Sequence, residues 1–266
     1  MSGAVRPCDN RGMNSALSPQ EVQTFHDNGY LIVRALASSA ECAHLLAVAR
    51  DHLARAVPPL EYEADVGYPG APPTLSAPGG RTVRRLLQAY ARDAAFASWA
   101  QDSRVVTRVR QLLDAPLVLP QAHHNCVMTK QPHFSSETHW HQDIRYWSYT
   151  RPDLVNVWLA LGSETRDNGC LMVLPGTHRQ ELVRARFDEA LFLRADLPEN
   201  QALIATRVYA ELAAGDVLFF HARCLHAAAR NRTDTAKFSL VFTYRAQNNE
   251  PLANTRSTGV AEIRLD

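Results

Sequence analysis

The 266-residue sequence has no apolar run approaching the roughly eighteen residues of a membrane span, and its opening stretch, MSGAVRPCDNRGMNSA, lacks the apolar core of a signal peptide. A cytoplasmic protein is the expectation. Charge of one sign is also lacking: 28 basic residues face 27 acidic ones, so no long-range field recruits nucleic acid or an anionic membrane, and partners must be recognised at a local site. The five cysteines (Cys8, Cys42, Cys126, Cys170, Cys224) are odd in number and form no C-x-x-C pair, which argues against a disulfide framework or a thiolate zinc site. Glycine-rich phosphate loops, a G-x-S-x-G elbow and an H-E-x-x-H helix are absent, removing the commonest nucleotide-binding, serine-hydrolase and zinc-protease chemistries.

What is present reads as one domain over residues 18–266 behind a polar, unpatterned tail at 1–17. Ser18-Pro19-Gln20-Glu21 is a capping box that opens a helix ending at Asn28-Gly29, and Tyr30-Leu31-Ile32-Val33 follows as a strand. Ser38 and Glu41 form a second capping box for a helix to about Ala56. Residues 57–80 are too rich in Pro and Gly for helix or central strand, and suit a lid. Helical patterning predicts helices at 82–90 and 94–113. From Pro116 the texture becomes short β-prone runs separated by turns: strands are expected at 117–130, 139–143, 155–161, 170–174, 217–221 and 237–244. That spacing indicates a sandwich or jelly roll, with 181–212, partly helical at 187–193, as an excursion outside it.

Two features carry chemistry. In His141-Gln142-Asp143 the potential ligands are two apart, so on a strand both face one side; His226, at the exit of the apolar run Val217-Leu218-Phe219-Phe220, offers a third. Two histidines and a carboxylate leave half of an octahedral coordination sphere open, as a non-haem iron oxygenase requires. Spacing alone leaves other readings open. His141 and Asp143 could form a surface pair, His221 competes with His226, and His123, His124, His133, His139 and His178 suit structural or supporting roles. The second feature is the run from Lys237 to Tyr244, which puts Lys237, Ser239, Val241 and Thr243 on one face. A lysine projecting into a barrel needs an anion, which the distal carboxylate of 2-oxoglutarate would supply, with the Ser239 hydroxyl as a second donor; a solvent-facing edge is the alternative. Arg245 shares that face but lies about 26 Å further along the strand, too far to serve the same carboxylate.

From about Leu17 to Tyr244 the sequence resembles the phytanoyl-CoA dioxygenase family. The resemblance rests on Leu17 to Leu31 (LSPQEVQTFHDNGYL), on His139 to Trp147 (HWHQDIRYW), on Asp167 to His178 (DNGCLMVLPGTH), and on Gly215-Asp216 through His226 to Asn231-Arg232-Thr233. It implies a mainly β protein with flanking helices around a double-stranded β-helix, the cupin-like jelly roll. It also implies Fe(II) on His141, Asp143 and His226. Lys237 falls where the family usually has the arginine that binds 2-oxoglutarate, Trp158 falls near that cosubstrate, and Asn125 lies on a strand that contributes a further polar contact. Lysine keeps the charge but replaces a bidentate fork with a point charge. Ala227, Ala228 and Ala229 stand where small polar residues or glycine are common. Related halogenases carry a small residue where this chain has Asp143, so hydroxylation is the implied reaction, on an aliphatic C–H of a small-molecule, lipid or acyl-carrier substrate with release of succinate and CO2. The partners expected are that substrate, 2-oxoglutarate and O2, with no nucleic acid. Two other classes fit a jelly roll: a cupin-type isomerase or 2-oxoglutarate-independent dioxygenase, and a non-catalytic binding protein.

Overall fold

The computed structural model describes residues 16–265. In chain order its elements are α1 (Pro19–Asn28), β1 (Tyr30–Val33), α2 (Ser39–Ala54), β2 (Leu60–Tyr62), β3 (Val83–Leu87), α3 (Ala89–Arg92), α4 (Ala94–Ala100), α5 (Ser103–Leu113), β4 (Leu117–Leu119), β5 (Asn125–Lys130), β6 (Thr138–His141), β7 (Leu154–Ala160), β8 (Leu171–Val173), α6 (Pro198–Ala205), β9 (Val208–Ala210), β10 (Val217–His221), β11 (His226–Ala228), β12 (Lys237–Ala246) and β13 (Ile263–Leu265). Among the described residues no helix is long and apolar enough to cross a membrane.

Both capping boxes form, with Ser18 accepting from the Glu21 amide and Ser38 from the Glu41 amide. Gly29 ends α1 in the left-handed region (φ 77°), where a side chain would be strained and its Cβ would meet the His178 ring at 2.4 Å. The strands build two antiparallel sheets. The larger runs β1-β10-β7-β12-β5-β3-β2, with β4 and β13 joined at the far end of β12; the smaller runs β6-β11-β8-β9. This is the jelly roll expected.

The alternation along β12 divides the interior in two. Phe238, Leu240, Phe242 and Tyr244 pack against Phe96, Trp99, Val105 and Val109 of the helices in the main core, while Val241 packs with Trp158, Leu218, Leu171 and Ala228 between the two sheets. Lys237, Ser239 and Thr243 share the face of Val241 and therefore point between the sheets, where they are buried. Central position explains why: β12 is hydrogen-bonded along both edges, to β7 on one side and to β5 and β4 on the other.

Several expectations fail. Residues 1–15 of the proposed tail lie outside the described residues, but Leu17 is buried and both its backbone groups bond the Gln111 amide, so the domain begins before Ser18. The helix predicted at 82–90 is mostly strand: Val83-Arg84-Arg85-Leu86-Leu87 fits either period, and pairing with β5 and β2 decides it. Arg84 is therefore buried in the sheet rather than exposed on a helix. The helix at 94–113 is broken where Asp102 caps α5, its carboxylate accepting from the Arg104 amide. The single strand at 117–130 is two. The 57–80 segment is not wholly loop, since β2 joins the sheet and Glu63 is fully buried. Within 181–212 the helix is α6 rather than 187–193, where Phe187 and Leu193 form a β-bridge instead.

Candidate metal and cosubstrate site

The register of the smaller sheet places His226 of β11 directly opposite His141 of β6. Asp143 does not continue the β6 strand; it begins a short 3-10 turn, Asp143–Tyr146, that swings its carboxylate back toward both rings. Ligand atoms of the three residues lie within 4.8 Å of one another, and Nε2 of each histidine is 3.6 Å from Asp143 Oδ1. His141 Nδ1 bonds the His139 carbonyl at 2.7 Å and His226 Nδ1 bonds the Cys224 carbonyl at 3.0 Å. Carbonyls only accept, so each Nδ1 carries the hydrogen and each Nε2 turns a lone pair inward, as a metal ligand must. Burial pushes His141 down to about 3 and lowers His226 too, keeping both rings neutral. This donor set, buried and convergent, fits a divalent iron ion.

The carboxylate is held by Asn156, which motif reading did not single out, and by His124, one of the histidines expected in a supporting role. Asn156, wholly buried on β7, donates through Nδ2 to Asp143 Oδ2 at 2.8 Å and accepts from Thr243 Oγ1 at 2.6 Å. The signal was faint: Thr243 lies on the inward face of β12, but nothing in sequence ties Asn156 to Asp143. His124 Nε2 lies 3.1 Å from Asp143 Oδ1; burial alone would lower its pKa, but the carboxylate raises it to about 9. Burial opposes ionisation of Asp143, yet the charge and hydrogen bond of His124 hold it well below the ordinary carboxylate range.

The remaining histidines do not join the triad, although His123 lines the same cavity. His221 accepts the Arg223 amide at its Nδ1 and faces Asp153, so it is no rival to His226. His123 stacks on Trp147, and His178 bonds the His26 carbonyl. His139 is exposed; its carbonyl holds His141 and its ring packs edge-on against Phe192.

Lys237, Ser239 and Trp158 do converge, but on a protein carboxylate. Lys237 Nζ is 3.0 Å from Glu164 Oε2, while Ser239 Oγ and Trp158 Nε1 donate to Glu164 Oε1 at 2.6 and 2.9 Å. The Glu164 side chain is completely buried. Asn125 is a correction: paired with Phe242, it faces the helical layer, and its Oδ1 accepts the Tyr90 amide. The inward residues of β5 are Cys126, Met128 and Lys130, opposite Val241, Ser239 and Lys237. Alternation along β5 could have identified Lys130.

The triad opens into a cavity of about 320 Å³, lined also by Tyr68, Arg85, Lys130, Arg145, Trp147 and Lys237. The 181–212 excursion contributes Phe192, whose ring lies 5.9 Å from that of His141 and 4.0 Å under the Arg145 guanidinium. That segment, expected outside the barrel, folds back over the site: the Leu193 amide donates to the Trp140 carbonyl.

The family model described as phytanoyl-CoA dioxygenase (PhyH) matches residues 25–239. The chain belongs to the phytanoyl-CoA dioxygenase family. Its class of activity is that of a 2-oxoglutarate-dependent non-haem iron dioxygenase. Among similar proteins, a probable phytanoyl-CoA dioxygenase of Caenorhabditis elegans is 25% identical over 83% of this chain and 72% of its own length. An ectoine dioxygenase of Stutzerimonas stutzeri is 25% identical over 89% of this chain and 79% of its own. The crystal structure of EctD from S. alaskensis with 2-oxoglutarate and 5-hydroxyectoine superposes with a TM-score of 0.74 at 21% identity, covering 89% of this chain and 78% of that one. The 2-oxoglutarate-dependent epimerase SnoN in complex with Fe3+ and nogalamycin RO gives 0.70 at 21% identity, over 92% and 93% of the two chains. At that identity the structural likeness establishes the fold.

Proposed function

We propose that this dioxygenase hydroxylates an aliphatic C–H of a small anionic molecule at a centre held by His141, Asp143 and His226. The observation that carries the reading is the convergence of these three buried side chains at a cavity large enough for a small ligand. His141, Asp143 and His226 would hold iron(II), which with 2-oxoglutarate and O2 would supply the oxidising power for C–H hydroxylation, with succinate and CO2 as coproducts. The chain's own residues position it. Carbonyl bonds fix both histidine tautomers, Asn156 fixes the carboxylate, and Phe192 shields the His141 side from water. Asp143 would also occupy the coordination position that a halide would need, which supports hydroxylation over halogenation.

The anionic character of the substrate follows from charge. Arg145 and Arg256 line the cavity, and among the described residues neither has a carboxylate partner; Arg145 donates to the Ala190 and Leu191 carbonyls and lies over the Phe192 ring. Arg85 and Arg84, by contrast, are neutralised by Glu61 and Glu63. A carboxylate, phosphate or sulfate on the substrate would meet the Arg145 and Arg256 guanidinium groups. The test is a panel of anionic and neutral candidates scored by succinate formed above the substrate-free background, alongside iron stoichiometry. His141→Ala, Asp143→Ala and His226→Ala are each expected to lose bound iron. Full iron retention in any of them removes that residue from the centre, and stimulation by neutral compounds alone refutes the charge argument.

A further inference from the structure

The β12 anion site is already occupied by the protein. Glu164 receives all three donors that would otherwise greet a cosubstrate carboxylate: Lys237 Nζ, Ser239 Oγ and Trp158 Nε1. Glu164 is not among the cavity-lining residues, whereas Lys237 and Trp158 are, so the carboxylate sits behind the lysine with the cavity in front of it. The charges of Lys237 and Glu164 cancel locally. An incoming dicarboxylate therefore finds hydrogen-bonding capacity at Lys237 but little net attraction.

Lys130 stands directly opposite Lys237 in the β5–β12 ladder and lines the same cavity. Side chains paired across a ladder share a face and lie close together. Its ammonium donates to the backbone carbonyls of Ser136, at 2.9 Å, and Ala229. That leaves one of its three N–H donors unassigned. Among the described residues no carboxylate lies within ion-pairing distance of it. Gly169 permits this arrangement, because a Cβ there would come within 3.0 Å of the Lys130 side chain and 2.4 Å of the Ala229 carbonyl. Ala229 lies three residues beyond His226, so Lys130 is tethered just past the end of the strand that carries a proposed metal ligand.

We propose that Lys130 supplies the net positive charge that anchors the distal carboxylate of 2-oxoglutarate, with Lys237 a hydrogen-bonding neighbour whose own charge is cancelled by Glu164. This rests on the cosubstrate reading above. Burial, reinforced by the Lys237 and Arg84 charges and offset by Glu63 and Glu137, lowers Lys130 to about 7. Cosubstrate binding above that pH accordingly draws a proton onto Lys130, because the carboxylate favours the charged amine.

The test is anaerobic calorimetry of 2-oxoglutarate binding to the iron-loaded protein at pH 8, in buffers of differing ionisation enthalpy. Wild type is expected to bind with uptake of close to one proton. Lys130→Met should weaken binding by about tenfold or more and abolish that uptake. Because Lys237→Met alone strands the buried Glu164 and can fail to fold, the charge-neutral double variant Lys237→Met/Glu164→Gln is the informative partner. It should retain affinity nearer to wild type than Lys130→Met does, with proton uptake intact. Wild-type affinity in Lys130→Met, or loss of binding in the folded double variant with Lys130 present, overturns the assignment. Wild-type protein that binds iron but no 2-oxoglutarate overturns the cosubstrate reading itself.

Discussion

Replacing Asn156 by Leu separates metal affinity from fold stability. Asn156 is wholly buried, so no solvent replaces its amide when it is removed. Two bonds disappear, the 2.8 Å bond to Asp143 Oδ2 and the 2.6 Å bond from Thr243 Oγ1. Each group left without its partner costs about 1–3 kcal/mol, so folding stability should fall by about 2–6 kcal/mol. Losing the group that orients a metal-binding carboxylate typically costs 10–100-fold in metal affinity, equivalent to about 1.4–2.8 kcal/mol. Adding Thr243→Val removes the orphaned hydroxyl: stability should recover in part, while metal affinity should not. Urea denaturation reads the first quantity, and competition for Fe(II) against a chromophoric chelator under anaerobic conditions reads the second. A folded Asn156→Leu protein with wild-type iron affinity would refute the view that this bond holds Asp143 in its binding orientation.

Two further outcomes follow from local physics. Hydrogen bonding and charge from Arg104, against the opposing effect of burial, hold Glu41 at about 2, down from an ordinary 4.5. A depressed carboxylate pKa contributes stability that is present above the unfolded value and lost as pH falls through the folded one. The stability difference between wild type and Arg104→Gln should therefore be largest above pH 4.5 and shrink toward pH 2; a difference independent of pH contradicts the assignment. Gly215 turns into β10 at φ +91°, and a Cβ there would meet the Ala37 carbonyl oxygen at 2.2 Å. Gly215→Ala should cost at least about 2 kcal/mol by denaturant titration, and a cost below 0.5 kcal/mol would mean the α2–β10 junction yields easily.

Local chemistry made much of the scaffold legible in the sequence. Capping boxes place α1 and α2 because their hydrogen bonds close within four residues, and the period-two pattern of β12 correctly assigns Lys237, Ser239 and Thr243 to one face because strand pleat is a local property. Local spacing offered the candidate triad only among alternatives, and the family resemblance singled out His226 over His221. Tertiary structure decided everything that depends on pairing across the chain. Arg84 and Arg85 became strand because β5 offered a partner, Asn125 turned outward through its register with Phe242, and Glu164 met Lys237 across 73 residues. His141 and His226 illustrate both sides. Their identity is written in sequence, but their opposition across β6 and β11, and the turn that brings Asp143 to both, arise only when the smaller sheet closes.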